Sequence, residues 1–223
     1  FKQVPNKKDM EAFEQFLGDE AKRREFYDRL RAFSRCLHIA LSSDKLFDVH
    51  SDKEVAGFKQ DWTQFSELRR SVQLRYQEVV DIKEFEPKIQ KLLDDHVIAM
   101  PAETIIDLVN INDTQALEAV VEAKGLSESS KADRIASATK RAITERMEAD
   151  PVFYQKFSEM LEATIREYRL KRISEKEYLA KVVDLAGSVA RKERGQDIPV
   201  SIRGNDHAEA FFGVLQSSLN GSG

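Results

Sequence analysis

Phe26, Leu30, Phe33, Leu37 and Leu41 recur at intervals of three and four residues, the spacing that gathers side chains on one face of an α-helix. So long a stripe fixes residues 19–43 as one amphipathic helix, because a strand would scatter the same side chains over both faces. Asp19 and Glu20 at its start, with Arg23, Arg24 and Arg29 further along, suit the helix macrodipole. The pattern recurs downstream. Phe58, Trp62, Phe65, Leu68, Val72, Tyr76 and Val79 define a second long helix over residues 53–80, with Arg69, Arg70 and Arg75 expected on its wetter face. Only nine glycines and five prolines interrupt 223 residues, so the stripes predict helices joined by short turns rather than a sandwich or barrel.

Local signals set the remaining boundaries. Residues 9–17 predict a short helix closed at Gly18 in a left-handed C-terminal position. Residues 42–52 read as a linker, and Phe85, Ile89, Leu92 and Leu93 mark a shorter helix fading after His96. Pro101 breaks the pattern, and Ile105, Ile106, Leu108, Val109 and Ile111 admit one short extended segment near 102–111. Asn112 or Asp113 can cap a helix carrying Leu117, Val120 and Val121 that stops at Gly125, and another begins near Ser129. Asp150-Pro151 is an acid cap before a proline at the first helical position, opening a helix with Phe153, Phe157, Leu161, Ile165 and Tyr168 inward. Ser174 and Glu177 fit a capping box. A break over 191–199 precedes a last helix with Phe211, Phe212 and Leu215.

The expected fold class is therefore all-α, an irregular array of about seven to nine helices. Its core residues are expected to include Phe26, Leu30, Phe33, Leu37, Phe58, Trp62, Phe65, Phe153, Phe157, Leu161 and Ile165. Residues 1–200 read as the helical domain, with subdomains 1–98 and 112–200, and residues 201–223 as a terminal helix and flexible tail.

Composition narrows function. A net charge of −4 argues against a chain that coats nucleic acid along its length. The lone Cys36 excludes an internal disulfide framework and suits a reducing compartment. No signal peptide or apolar run of spanning length is visible, so a cytoplasmic location is expected. Phe1-Lys2-Gln3 lacks an initiator Met and the end dissolves into small polar residues, which reads as a piece of a longer polypeptide.

Motifs that carry chemistry fail on context. Asp19-Glu20-Ala21-Lys22 looks like the acidic box of helicase-like ATPases, but that chemistry needs a preceding apolar strand and an upstream GxxxxGK[ST] loop. Neither exists here, and the four residues fit a helix start. Asp81 with Glu86-Pro87-Lys88, and Asp113 with Glu122-Ala123-Lys124, imitate a nuclease triplet, yet both fall in helical context rather than on paired strands. His38, His50, His96 and His207 are scattered without zinc spacing, and His38 is expected to be partly buried and hydrogen-bonded. No catalytic, cofactor-binding or metal residue is assigned. The basic residues Arg69, Arg70, Arg166, Arg169, Lys171 and Arg172 are candidates for docking or phosphate contact. The best stretch is 166–194, with nine Lys or Arg against five Asp or Glu.

Residues 16–43, reading F-L-G-D-E-A-K-R-R-x-F-Y-D-R-L-R-A-F-S-R-x-L-H-I-A-L-S-S, resemble the C-terminal helical region of type I restriction enzyme R subunits. The run L-R-R-S-V-x-L-R-Y within 65–76, the block Asp150-Pro151-Val152-Phe153-Tyr154 with Phe157, Ser158 and Leu161, and Ala210-Phe211-Phe212-Gly213 are similar to the same region. The resemblance covers nearly the whole chain and rests on ordered blocks rather than a catalytic signature.

It implies an assembly and coupling domain without catalysis of its own. The parent subunit would be a site-specific endonuclease with a motor using ATP and magnesium. The partners implied are the modification (methyltransferase) and specificity subunits, with DNA reached through the assembled complex and no membrane. The alternative is a helical DNA-binding module contacting duplex phosphates during translocation. A third reading, an independent enzyme, would require a concave pocket with strongly perturbed titrating groups.

Overall fold

Side chains that accept otherwise unpaired amides decide where the helices begin. The computed structural model describes residues 4, 6, 9–43, 45–78, 108–193 and 198–220. Asp9 accepts from the Ala12 amide at 3.0 Å and starts α1 (Met10–Phe16). Asp19 accepts from the Lys22 amide at 3.1 Å and starts α2 (Glu20–Leu41), so the acidic pair is a helix cap. The short α3 (Lys45–Val49) precedes α4 (Asp52–Arg75), which Ser51 and Glu54 open with a capping box. Asp113, Ser127, Asp150 and Ser174 cap α5 (Thr114–Glu122), α6 (Glu128–Arg146), α7 (Pro151–Arg169) and α8 (Glu175–Ala190). A 3₁₀ turn, Val200–Ile202, leads into α9 (Asp206–Asn220). In both capping boxes the serine amide and hydroxyl donate to the glutamate and hold its carboxyl below the usual range. Each cap contributes about 1 kcal/mol. The fold is all-α, with no strand among the described residues.

The chain divides into two compact units, Phe1–Asp107 and Leu108–Gly223, each with its own core. In the first, Phe26, Leu30 and Leu37 of α2 meet Val55, Trp62, Leu68 and Val72 of α4, with Phe13 and Leu17 closing one end. Phe33, Phe58 and Phe65 pack partly buried against this cluster. The contacts Arg23–Glu78, Tyr27–Arg69 and Ser34–Trp62 pair rising numbers with falling ones, so α2 and α4 run antiparallel. Trp62 is 2 % exposed, and its indole N–H donates to Ser34 Oγ at 2.8 Å, which satisfies the polar edge of a ring that otherwise fills the core.

In the second unit α6, α7 and α8 pack together, with α5 against α6 and α9 against α7. Phe153, Phe157 and Leu161 are buried from α7, Ile165 is partly so, and Ala132, Ala136, Ala138 and Ala186 line the α6 and α8 side. Small side chains let those two axes approach closely. Tyr178 stacks on Tyr168 with ring centroids 4.4 Å apart, and its hydroxyl donates to Asp133 at 2.9 Å.

Three boundaries depart from the sequence reading. α4 ends at Arg75 rather than near residue 80, because Gln77 adopts a φ of 52° and the Glu78 amide turns back to the Gln73 carbonyl at 3.0 Å. Gly18 is not left-handed; α1 closes at Leu17 and the Gly18 amide donates to the Gln15 carbonyl. The left-handed glycines are Gly125 and Gly204 among the described residues. The linker at 42–52 contains α3. The helix expected around Phe85 lies outside the described residues, as does most of the extended segment near 102–111, whose described end is irregular chain and turn.

Gly57 lies inside α4, where an added methyl would meet nothing within 4 Å. Gly57→Ala should therefore stabilise the first unit by about 0.5–1 kcal/mol. A higher urea midpoint at unchanged slope is the expected readout.

Candidate interaction surfaces

Arg75 was expected on a wet face and is 1 % exposed. Its guanidinium donates to Glu14 at 3.0 Å and Glu11 at 3.3 Å, tying the end of α4 to α1. The Ser71 hydroxyl also donates to Glu14, and the Tyr76 hydroxyl donates to the Glu14 carbonyl at 3.1 Å. Alongside, Arg23 donates to Glu78 at 2.8 Å and to the carbonyls of Leu17 and Gly18, and it lies 4.4 Å from the Tyr76 ring centre. Arg69 is buried too, over the Tyr27 ring at 5.3 Å. Arg70 on the same helix is half-buried. The helix's basic run therefore largely supplies internal ties between α1, α2 and α4, and Arg69 offers little to a partner.

The second basic group is on the surface. Arg166, Arg169, Lys171, Arg172 and Lys176 are all exposed where α7 turns into α8, around the exposed Leu170. Over residues 166–176 these five cations face two carboxylates, Glu167 and Glu175, a net +3 in a chain whose total is −4. Glu167 is already bound by Lys181 at 2.7 Å, and Glu175 accepts from the Tyr168 hydroxyl at 3.4 Å.

An apolar surface appears on α9. Ala210 is its buried residue against the unit, while Phe211 is 66 %, Leu215 46 % and Leu219 79 % exposed. Their spacing of four puts them along one flank of the helix. Gly213 lies on the inner side beside Val152 near the start of α7, where an added methyl would sit 3.7 Å from the valine. The sequence predicts Phe211 and Phe212 on a helix but does not distinguish the exposed Phe211 from the half-buried Phe212, because apolar residues surround much of α9.

Other candidates are dispersed. Asp113 is spent on the Gln115 and Ala116 amides at the start of α5, while Glu122 closes the same helix about 13 Å away. Asp81 and Glu86 lie outside the described residues. His38 is partly buried, but its Nδ1 has no hydrogen-bond partner among the described residues, contrary to expectation. Cys36 is exposed. No group of three His, Cys, Asp or Glu that could hold a metal ion occurs among the described residues, and none of their helices is long and apolar enough to cross a membrane.

The described residues thus define an all-α chain with one basic and one apolar exposed surface in its second unit. The profile of the family described as type I restriction enzyme HindI endonuclease subunit-like, C-terminal, matches residues 7–218, and the chain belongs to that family. No curated protein and no solved structure matches it.

Two outcomes follow from the buried polar node. Arg75→Met leaves Glu14 without its cation and should destabilise the first unit by about 3–5 kcal/mol, whereas Glu14→Leu combined with Arg75→Met should recover much of the loss; chemical denaturation of both variants checks this. Burial, the Tyr27 hydrogen bond to Glu78 at 2.6 Å and that carboxylate's charge push the phenol well above its ordinary value of 10.0. A raised folded value contributes stability that is complete below the unfolded value and is lost as pH climbs from there through the folded one. Tyr27→Phe should flatten the loss of stability above about pH 10, measured by thermal melts in alkaline buffers.

Proposed function

We propose that this chain is the assembly and coupling domain of the endonuclease (R) subunit of a type I restriction enzyme. It docks the ATP-dependent DNA-translocating motor and nuclease onto the core of modification and specificity subunits. Membership of the family over residues 7–218 supports a restriction-modification role in a multisubunit, DNA-handling enzyme. ATP and magnesium act in the motor portion of the parent subunit under this reading, and no catalytic step is assigned to the residues described above.

The observation that carries docking is the α9 flank. Phe211, Leu215 and Leu219 stand in water, and covering each fully would contribute about 1.5–3 kcal/mol. An amphipathic helix presenting anchors every four residues is the form taken up by an apolar groove on a partner. A stable contact of standard size buries about 1,600 Å² in total around such anchors. Ala210 and Gly213 hold the other side of α9 against the unit, so a force on the flank passes directly into the packed α6–α8 helices. That rigidity is what coupling a moving motor to a stationary core requires.

Phe211→Asp with Leu215→Asp, made in the full-length endonuclease subunit, should reduce co-purification with the modification–specificity core by more than about tenfold, since two interface anchors are lost. Unchanged helicity would show that the unit remains folded. Recovery at the wild-type level would refute docking through α9.

A further inference from the structure

We propose that the α7–α8 turn is a second binding surface, one that grips the phosphate backbone of duplex DNA without reading its sequence. This does not depend on docking through α9.

Four of its cations, Arg166, Lys171, Arg172 and Lys176, are exposed and have no side-chain hydrogen bond or ion pair among the described residues. Exposed cations elsewhere are often spent locally: Arg24 on Glu20 at 2.9 Å and Arg29 on Glu25 at 2.7 Å. Lys171 gives a second, independent reason. It is one of three non-glycine residues with positive φ among those described, a conformation costlier for an L-residue than for glycine. The other two use their side chains internally: Gln77 donates to the Leu74 carbonyl at 2.9 Å and Lys192 donates to Asp206. Lys171, with a φ of 56°, closes the turn and sends its ammonium into solvent. A glycine would serve the turn better and supply no charge.

The chemistry of the patch favours phosphates over a protein partner. Protein interfaces desolvate aromatic and Arg anchors and are poor in Lys, whereas this surface mixes Lys and Arg around a single aliphatic, Leu170. Solvated cations suffice for phosphates, because the gain comes from released counterions. Base stacking is not offered either: the aromatic ring within the patch, Tyr168, is already stacked on Tyr178. Backbone contact alone positions a duplex without specifying sequence. The family's description as an endonuclease subunit makes DNA the duplex in question. The geometry is compatible with a second partner at the same time, because Val152 near α9 and Leu170 in the turn are about 27 Å apart along α7.

The test is fluorescence anisotropy of a labelled duplex of about 30 base pairs with the 223-residue chain, across salt from about 50 to 200 mM. The variant Arg166→Gln, Lys171→Gln, Arg172→Gln and Lys176→Gln should lower the magnitude of the log K against log salt slope by about 3 to 4. Lys171→Gly separates binding from folding: its Tm should match or exceed the wild type's while the slope falls by about 0.9. Arg24→Gln with Arg29→Gln, which removes two locally paired cations, should leave the slope unchanged. The proposal fails if the wild type shows no binding at the lowest salt, if the fourfold variant keeps the wild-type slope, or if the control variant loses as much. It fails equally if the fourfold variant loses the protein core while binding DNA as before, which would assign the turn to an acidic protein surface.

Discussion

The guanidinium of Arg75 is withdrawn almost wholly from water, and the first unit is organised around keeping it paired. A buried arginine is tolerable only where carboxylates and hydrogen bonds replace its hydration. Here Glu11 and Glu14 of α1 supply them, with Ser71 and Tyr76 fixing Glu14 in turn. Next to it, Arg23 ties the α1–α2 turn to Glu78 just past the end of α4. Apolar packing of α2 on α4 supplies the bulk attraction, but a greasy seam tolerates sliding by a turn. The polar node does not, since any shift would strand a charge. It fixes how α1 and α2 meet α4.

The second unit is organised differently. Its centre is apolar, small-residue packing of α6 against α8, and the buried Thr139 hydroxyl is satisfied within α6 itself, donating to the Ile135 carbonyl at 2.7 Å. α7 acts as a strut whose two ends carry different chemistry. Near its start α9 packs across Val152 and leaves an apolar flank in water; at its finish the turn into α8 gathers exposed cations. A protein groove and a polyanion would each find one end, with little competition for the same residues.

Much of this was legible in the residues and some was not, for definable reasons. Asp150-Pro151, the Ser174–Glu177 box and the helix start at Asp19 are local signals whose physics is complete within one turn, and each appears where expected, with Asp19 serving as the cap. The stripes of α2 and α7 include Phe26, Leu30, Leu37, Phe153, Phe157 and Leu161, which are buried, because 3.6-residue periodicity needs no knowledge of the partner. Phe33 and Ile165 are only partly covered, and the buried Arg23, Tyr154 and Thr164 fall outside the stripes. Arg69 and Arg75 are the counterexample. Charge alone placed them in water, and only the long-range approach of α1 and Tyr27 reveals why they are buried. The Ser51–Glu54 capping box is readable by the same rule as Ser174–Glu177 but straddles the junction between the expected linker and the helix expected from residue 53. For α9, the sequence shows apolar residues without showing that Phe211 and Leu219 are exposed. Exposure is a property of the whole fold and has no local signature.

The family match places the chain among the C-terminal domains of type I restriction enzyme HindI endonuclease subunit-like proteins, and the α9 flank is the surface on which the docking proposal stands. Amide hydrogen exchange of the full-length endonuclease subunit, alone and with the modification–specificity core, tests that claim most directly. The account predicts that protection rises along α9 when the core is added. Complex formation with the α9 amides exchanging as fast as before would contradict it.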